Sequence, residues 1–247
     1  MASVLQPLKV LSVASCTRHT ATVIFVHGLG DSGHGWKPVA DILQGDPGLS
    51  HVKWVLPHAP TRRVTANRGM EMPAWYDIVA FGADSDPPEV EEGMLQSVRS
   101  LERLIANEVS EGIDPSRIVL GGFSQGGTMS LLTGLTIEMK LGSIVVLSGR
   151  LALKSKIKTM LSPHAKSVPI FWGHGTSDPV VKYQFATDSL DFMKSQLEII
   201  TIDRKLASPT SGGVVFNPYP GMGHSTSQQE LDDLREWLKL VLPKDSA

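Results

Sequence analysis

RIVLGGFSQGGTMSLLTGL, residues 117–135, decides the fold of this chain. An apolar, β-branched run leads into the pentapeptide GFSQG (122–126), and a plausible helix follows without a break. This is the G-x-S-x-G pattern in its expected setting, a serine on a sharp turn between a strand and a helix. The flanking glycines leave room where a Cβ would collide with neighbouring elements. The sequence therefore predicts that Ser124 is a nucleophile on a strained turn.

A serine nucleophile needs a general base to take its proton and an acid to orient that base. In folds with this turn, the chain order is serine, acid, histidine. The run VPIFWGHGTSDPVV (168–181) begins as a strand and delivers Asp178 in a turn closed by Pro179. The run YPGMGHSTSQQEL (219–231) places His224 in a glycine-rich loop before the last helical segment. We therefore predict Asp178 as the orienting acid and His224 as the base.

Other apolar runs predict further strands of the same sheet. Because they are apolar nearly throughout, they are typical of strands covered on both faces. The runs are ATVIFVHG (21–28), VKWVLPHAP (52–60), RIVLGG (117–122), GSIVVLSG (142–149) and VPIFWGHG (168–175). Helical patterns lie between them, as in 88–110, and a last helix is expected after Ser227, which forms a capping box with Glu230. The alternation predicts an α/β fold, a mostly parallel, doubly wound sheet with helices on both faces.

Length and composition predict one globular domain over residues 1–247, with 1–18 as an edge strand or a tail. The 23 basic and 25 acidic residues are mixed along the chain, which argues against nucleic acid as a partner. The histidines lack metal-ligand spacing, so we expect no metal. Cys16 is the only cysteine, and no basic region precedes an apolar block at the N-terminus. We therefore expect a cytoplasmic protein, with the nucleus left open, that is not secreted.

The stretch HGLGDSGHGW (27–36) contains G-x-G-x-x-G, the glycine pattern of a dinucleotide-binding loop. That function requires an acidic residue about 20 positions further on, at the end of the next strand. Here the next strand ends in Pro57-His58, and no Gly-Lys-Ser/Thr follows the glycines as in a P-loop. The loop is better explained as half of an oxyanion hole. We expect the backbone N–H groups of Leu29 and Gln125 to be its donors.

Five segments, in this order, closely resemble the acyl-protein thioesterases of the phospholipase/carboxylesterase group. They are HGLGDSGHGW, LPHAPTRRVTANRGMEMPAWYDI, GGFSQGGTMSL, GHGTSDPVV and GMGHSTSQQEL. The resemblance implies an α/β-hydrolase fold, a triad of Ser124, Asp178 and His224, and no cofactor. It also implies hydrolysis of the thioester between palmitate and protein cysteines, with small GTPases and G-protein α subunits among the substrates. Transient contact with a membrane surface, and either a monomer or a weak homodimer, fit the same resemblance.

The acyl pocket is expected under residues 57–88, which carry little periodicity and predict a long loop over the catalytic edge of the sheet. Loop residues expected to contact the acyl chain are Leu29, Met70, Met72, Trp75, Ile78 and Val180. Arg150 stands where the resembling sequences usually have an aromatic residue, so a cation is expected to line the cleft. The interval from Asp178 to His224 is also longer than usual, which predicts a protruding insertion around 206–213.

Three alternatives remain at this point. A broad carboxylesterase or lysophospholipase would use the same three residues and the same oxyanion donors, and only the pocket would differ. An inert hydrolase fold that serves as a binding module would be expected to lack one of the three. A dinucleotide-dependent oxidoreductase rests on the glycine pattern of 27–36 alone, and bound nicotinamide would reveal it by absorbance.

Overall fold

The computed structural model describes residues 6–81, 88–208, 210 and 212–244. The strands in these residues are β1 (Val10–Val13), β2 (Ala21–Val26), β3 (Val52–Pro57), β4 (Thr61–Val64), β5 (Met70–Pro73), β6 (Ile118–Phe123), β7 (Ser143–Leu147), β8 (Pro169–Gly175) and β9 (Gly213–Tyr219). The α-helices are α1 (Gly33–Gln44), α2 (Glu91–Ser110), α3 (Gln125–Thr136), α4 (Ile157–Met160), α5 (Tyr183–Leu197) and α6 (Gln228–Val241). No helix of this described part is long and apolar enough to cross a membrane.

The main sheet explains where a site can form. In the described residues it has seven strands in the order β1-β3-β2-β6-β7-β8-β9, and β1 pairs antiparallel with β3 while the other pairs are parallel. The chain first adds β3 on one side of β2 and later adds β6 on the other side. Such a reversal opens a crevice at the carboxyl ends of the strands. The predicted mostly parallel sheet with helices on both faces is confirmed.

The apolar strands are buried on both faces, as their sequences predicted. Successive side chains of a strand point to opposite faces, and in β2 Ile24 and Val26 join one core cluster while Val23 and Phe25 join the other. The first cluster is completed by α2, α3 and α5, and the second by α1 and α6. Fully burying a side chain of this size stabilises the fold by ~1.5–3 kcal/mol. The two cores therefore hold the sheet rigidly beneath its carboxyl edge.

The loop predicted over 57–88 is more regular than expected, and this corrects the sequence analysis. Strands β4 and β5 form a two-stranded antiparallel sheet in which Thr61 pairs with Pro73 and Val64 with Met70. The turn between them passes through left-handed backbone at Arg68 and Gly69. Each strand has only four residues, which is too short to produce a clear alternating pattern. Residues 82–87 of the predicted loop lie outside the described part of the chain.

Two smaller expectations concern the C-terminal third. Of the predicted insertion over 206–213, positions 209 and 211 lie outside the described residues, and β9 begins at Gly213. The predicted capping box is half formed, since Ser227 Oγ accepts the Glu230 backbone N–H at 3.2 Å. The Glu230 carboxyl does not return the bond. It is fully buried and has no hydrogen-bond partner among the described residues.

Candidate active site

Ser124 lies on the turn that joins β6 to α3, and its backbone is strained. Its φ of 55° and ψ of −119° lie in a region that residues with a side chain rarely adopt. A Cβ on Gly122 would lie 2.6 Å from the carbonyl oxygen of Val26, and one on Gly126 would overlap that same oxygen. The turn therefore requires glycine at both positions.

Ser124, His224 and Asp178 form one hydrogen-bonded chain. Nε2 of His224 lies 2.8 Å from Ser124 Oγ, and Nδ1 of the same ring lies 2.7 Å from Asp178 Oδ2. Because a carboxylate only accepts hydrogen bonds, Nδ1 carries the proton and Nε2 is left to accept the serine hydroxyl. The Asp178 side chain is fully buried, whereas the His224 side chain is 16% exposed. The structure thus brings together all three residues that the sequence analysis selected.

The buried carboxylate of Asp178 is held by the loop that follows β8. Its second oxygen, Oδ1, accepts the backbone N–H groups of Val180 at 2.8 Å and Val181 at 2.9 Å. His174 packs beneath it, 3.6 Å from Oδ2, with Nε2 2.8 Å from the Val181 carbonyl oxygen. Burial lowers the pKa of His174, which keeps this ring neutral. The two backbone N–H groups and the His174 ring together fix the orientation of Asp178 towards His224.

The two expected oxyanion donors belong to two different elements that border the same cavity as Ser124. Gln125 is the first residue of α3, so its backbone N–H has no acceptor within the helix. Leu29 follows β2 in the adjacent loop, and both residues line the same cavity as Ser124. The loop is anchored next to Leu29 by the Gly30 N–H, which donates to the Pro73 carbonyl oxygen at 2.8 Å. The helix N-terminus at Gln125 also favours negative charge at this point.

His27 supports the Leu29 loop from below. Its Nε2 accepts the Ala59 backbone N–H at 3.0 Å, so Nδ1 is protonated and donates to the Gly28 carbonyl oxygen at 2.6 Å. Burial lowers the pKa of His27, which favours this neutral form. The sequence analysis gave His27 no metal-ligand role, and the structure shows that it orders the backbone around the predicted oxyanion hole.

The side chain of Gln125 has a role that the sequence did not reveal. Its Oε1 accepts the Trp75 backbone N–H at 2.7 Å, and its Nε2 donates to the Tyr76 carbonyl oxygen at 2.7 Å. Trp75 is tied further by its indole N–H, which donates to the His27 carbonyl oxygen at 2.8 Å, and by a hydrogen bond from the Ser97 hydroxyl. These bonds clamp the segment after β5 against the Ser124 turn.

A cavity of about 270 Å³ opens beside Ser124 and His224. Of the residues expected to contact an acyl chain, Leu29, Ile78, Val180 and Arg150 line it. Met70, Met72 and Trp75 are not among its lining residues, which corrects those expectations. Trp75 is fully buried because its indole packs into the core beneath the cavity. Met70 and Met72 belong to the β4–β5 hairpin, where Met70 is 64% exposed.

Several lining residues were missed by the sequence analysis. They are Tyr76, Val79, Phe81, Phe123, Thr128 and Phe185. Thr128 was within reach of sequence reasoning, because it lies four residues after Ser124 on α3 and therefore on the same helix face. Phe123 ends β6 directly before Ser124. The remaining residues depend on how the segment after Trp75 and the start of α5 fold over the sheet edge. No local pattern in those segments predicts that arrangement.

Electrostatically, the largely apolar cavity lining includes Arg150, which forms an ion pair with Glu89. Arg150 Nη1 lies 2.7 Å from Glu89 Oε1. Burial raises the pKa of Tyr76, although the nearby Arg150 charge and a hydrogen bond with Thr128 oppose the shift. The Tyr76 hydroxyl is therefore neutral. Among the described residues, no group of three His, Cys, Asp or Glu side chains is placed to hold a metal ion.

This arrangement can perform acyl transfer. A hydroxyl nucleophile contacts an imidazole nitrogen, the imidazole is oriented by a buried carboxylate, and the nucleophile lies at the N-terminus of α3. The adjoining cavity presents mainly aliphatic and aromatic side chains. Such a surface is better suited to bind an acyl group than to bind a polar group.

Comparison with known proteins gives consistent matches along nearly the whole chain. Residues 10–242 match the Phospholipase/Carboxylesterase family. The chain is 49% identical over 238 residues to an acyl-protein thioesterase 1 of Cryptococcus neoformans, which covers 95% of this chain and 98% of that relative. The structure of SOBER1 from Arabidopsis thaliana superposes with a TM-score of 0.80 at 32% identity, over 90% of this chain and 99% of that one.

Acyl-protein thioesterase 2 from Zea mays is a further structural match, with a TM-score of 0.78 at 28% identity over 95% of this chain and 99% of that one. The resemblance that the five sequence segments predicted is confirmed by these findings. The mostly parallel sheet is likewise the sheet of these α/β-hydrolase neighbours. The chain belongs to the acyl-protein thioesterase family, within the Phospholipase/Carboxylesterase group.

Proposed function

We propose that this chain is a serine hydrolase that cleaves the thioester between a long-chain acyl group, such as palmitate, and a protein cysteine. The observation that carries the proposal is the hydrogen-bonded chain from Ser124 through His224 to Asp178 at the mouth of an apolar cavity. Small GTPases and G-protein α subunits are the protein substrates we propose, in a cytoplasmic setting that includes transient contact with a membrane surface.

In the acylation step, Ser124 Oγ attacks the thioester carbonyl carbon while its proton passes to His224 Nε2, 2.8 Å away. The imidazolium that forms is stabilised by Asp178, which accepts the Nδ1 hydrogen bond at 2.7 Å. The negative charge on the carbonyl oxygen is stabilised by the N–H groups of Leu29 and Gln125. Collapse of the intermediate breaks the carbon–sulfur bond, and the Nε2 proton goes to the leaving thiolate.

In the deacylation step, water replaces the departed cysteine thiol beside His224. His224 Nε2 takes a proton from the water as its oxygen attacks the acyl-serine carbonyl carbon. The same backbone donors stabilise the second oxyanion. When the bond to Ser124 Oγ breaks, Nε2 returns the proton to that oxygen and the fatty acid is released. The enzyme is thereby restored with no cofactor consumed.

The apolar cavity supports an acyl substrate on energetic grounds. Each methylene group transferred from water to an apolar surface contributes ~0.8 kcal/mol. Val79, Phe81, Val180 and Phe185 provide such a surface next to Ser124. Removing one long acyl chain from a protein also removes a membrane anchor, because a single lipid chain gives only marginal attachment. Hydrolysis at this site would therefore change where a substrate protein resides.

A broad carboxylesterase is a second candidate, and the cavity size favours it. A volume of about 270 Å³ is slightly below the range of roughly 300–1,000 Å³ that is common for small-molecule sites. A small oxygen ester requires less of this space than a palmitoyl thioester does. The reaction steps would be the same as for a thioester, with an alcohol as the leaving group.

The test compares three substrates with wild-type protein and Ser124→Ala. The substrates are an S-palmitoyl peptide, a lysophospholipid and a short-chain ester. We expect the palmitoyl thioester to have the highest kcat/KM, and Ser124→Ala to lower kcat for all three by on the order of 10⁴. Ser225→Ala, which removes a neighbouring hydroxyl outside the hydrogen-bonded chain, is the matched control for folding, monitored by circular dichroism.

The possible results separate the candidates. Near-full activity in Ser124→Ala would refute the serine mechanism altogether. Short-ester kcat/KM that exceeds the thioester value by orders of magnitude would replace the thioesterase proposal with the carboxylesterase one. Fluorescence microscopy of the tagged chain tests the proposed cytoplasmic location separately.

A further inference from the structure

His224 is carried by the loop between β9 and α6, and few contacts hold its ring. This loop covers residues 220–227, and Gly221 takes left-handed backbone with a φ of 74°. Within the described part of the chain, the His224 side chain makes two hydrogen bonds. Nδ1 donates to Asp178 Oδ2 at 2.7 Å, and Nε2 lies 2.8 Å from Ser124 Oγ. Any further restraint on the ring comes from the groups that pack against it.

Phe123 supplies such packing. It is the last residue of β6, directly before Ser124, and its ring centroid lies 4.9 Å from that of His224, with 43° between the two planes. Aromatic rings at such a separation attract each other beyond the effect of the area that they bury. Among the described residues, no other aromatic ring contacts His224. The contact therefore restrains the imidazole independently of the two hydrogen bonds.

The Phe123 ring is itself supported by the core. Its centroid lies 5.8 Å from the ring of Trp36 in α1, and the Trp36 ring lies 4.4 Å from that of Phe25 in β2. Trp36 and Phe25 belong to the core cluster that α1 and α6 complete, and Phe123 packs against this cluster. Gly28 also adjoins the ring, because an added Cβ there would lie 3.4 Å from Phe123 Cδ1. A row of three aromatic rings thus runs from the core to His224.

The importance of this support changes during the proposed reaction. Before acylation, the Ser124 hydroxyl donates to His224 Nε2 and helps to hold the ring. In the acyl-enzyme, Ser124 Oγ is bonded to the acyl carbon and has no proton to donate. The ring then keeps only the hydrogen bond from Nδ1 to Asp178, and a single bond permits it to turn. The Phe123 contact requires no proton on Ser124, so it persists while Nε2 accepts a proton from water.

We propose that Phe123 is a positioning residue for His224, which keeps Nε2 directed at the attacking water during hydrolysis of the acyl-enzyme. This inference rests on the proposed function, since it concerns the deacylation step at the same site. The Phe123 side chain has no hydrogen-bonding group and acts through the imidazole. Its removal should therefore slow deacylation more than acylation, in which Ser124 itself helps to hold the ring.

The test measures the two steps separately with p-nitrophenyl acetate, whose acyl group has a single methyl group to contact the cavity. With enzyme in excess, stopped-flow absorbance follows the release of p-nitrophenol in acylation, and mass spectrometry of quenched intact protein follows the acetyl-enzyme. In Phe123→Leu, we expect the deacylation rate constant to fall about tenfold and the acylation rate constant by less than about threefold. The fall is smaller than the ~100-fold that a misplacement of about 1 Å can cause, because Asp178 still holds Nδ1.

Two further variants separate positioning from general damage. Phe123→Tyr retains the ring, so both of its rate constants should stay within about twofold of the wild-type values. Phe192→Leu is the matched control, because Phe192 is also half-buried, packs against the other core cluster and is absent from the described lining of the cavity. Its rate constants should likewise stay within about twofold. If Phe123→Leu fails to fold, Phe123→Met takes its place, since a flexible apolar side chain fills the space without a ring.

Several results would overturn the role of Phe123. They are equal falls of the two rate constants in Phe123→Leu, an unchanged deacylation rate constant in that variant, and a loss in Phe123→Tyr or Phe192→Leu as large as that in Phe123→Leu. Hydrolysis of an S-palmitoyl peptide distinguishes this inference from the proposed function. If wild-type protein cleaves the acetate ester but not that peptide, the proposed function fails, whereas the two rate constants still decide the role of Phe123. Wild-type protein that neither forms an acetyl-enzyme nor releases p-nitrophenol would overturn both.

Discussion

The two walls of the cavity are built in different ways. One wall carries Ser124 and His224, and His224 is hydrogen-bonded to the buried Asp178. Each of the three residues lies a few positions after a parallel strand of the main sheet. The other wall, formed by residues 76–81 and 88, comes from the connection between β5 and α2. The first wall is fixed by strands buried in two cores, whereas the second packs on one core through Tyr76 and is tied down by the side chain of Gln125. The positions of Ser124, Asp178 and His224 are therefore set by the sheet, whereas the shape of the cavity also depends on a small number of hydrogen bonds.

Among the substitutions that test this comparison, we expect Gly126→Ala, in the first wall, to have the largest effect on stability. The added Cβ would overlap the Val26 carbonyl oxygen and lie 2.6 Å from that of His27. Both obstacles are backbone atoms of β2 and its loop, which cannot move without disturbing the sheet. We expect the free energy of unfolding to fall by at least about 3 kcal/mol, and urea denaturation measures it.

Gly223→Ala is the control for that substitution. An added Cβ there meets no atom within 4 Å, so its stability should match wild type within about 0.5 kcal/mol. A small effect of Gly126→Ala would mean that the Ser124 turn can relax. The first wall would then be no more rigid than the second.

The same difference between the two walls explains which parts of the site could be predicted from the sequence. The Ser124 turn could be predicted because the glycine pattern, the preceding strand and the following helix are contiguous. Asp178 followed from its place in the loop after a recognisable strand, and His224 from its glycine-rich loop before the last predicted helix, both in the expected chain order. Trp75 was expected in the cavity lining but is absent from it, because its neighbours are set by contacts with residues far away in the chain, Gln125 and His27. Sequence periodicity carries no information on such contacts.

We expect a smaller loss of stability from Gln125→Leu, which removes hydrogen bonds that hold the second wall. The substitution removes the acceptor for the Trp75 N–H and the donor to the Tyr76 carbonyl, and both groups are buried. An unsatisfied buried polar group costs about 1–3 kcal/mol, so we expect a loss of about 2–3 kcal/mol in the free energy of unfolding. The backbone N–H of residue 125 remains, so short-ester hydrolysis should survive better than long-ester hydrolysis.

Gln184→Leu provides the comparison for Gln125→Leu. Gln184 is bonded to Asp188 on the exposed face of α5, and its replacement should change stability by less than about 0.5 kcal/mol. Equal loss of short-ester and long-ester kcat/KM in Gln125→Leu would show that the second wall also supports the chemistry. It would then be wrong to assign the chemistry to the first wall and only the shape of the cavity to the second.

The buried carboxyl of Glu230, at the start of α6, should make the free energy of unfolding depend on pH. Burial, with a contribution from Asp233, raises its pKa to about 8, so the folded protein holds it protonated near neutral pH. Its contribution to stability is complete below the unfolded pKa of an ordinary glutamate and is lost as pH rises through about 8. In Glu230→Gln this loss disappears. We expect its stability relative to wild type to improve by about 1 kcal/mol per pH unit between roughly pH 5 and 8, close to the single-proton limit.

Urea denaturation of wild-type protein and Glu230→Gln across that pH range measures the difference between their free energies of unfolding. The contributions of the other titrating groups cancel in this difference. A difference that does not change with pH would mean that Glu230 is ionised in the folded protein. The result also bears on the half-formed capping box of α6. A glutamate that returned the bond to the Ser227 N–H would be stabilised as a carboxylate, in contrast to the buried group in the structure.

The smallest effects are expected from Ile78→Ala and Met72→Ala, a pair that defines where the second wall ends. Ile78 lines the cavity, whereas Met72 lies in the β4–β5 hairpin outside it and its sulfur contacts Asn67 Nδ2 at 3.2 Å. Truncating Ile78 removes apolar contact worth about two methylene groups, so KM for a dodecanoyl ester should rise roughly fivefold to tenfold. Met72→Ala should change that KM by less than about twofold. If Met72→Ala had the larger effect, the acyl chain would run along the hairpin, and the second wall would extend to β5 rather than end at Tyr76.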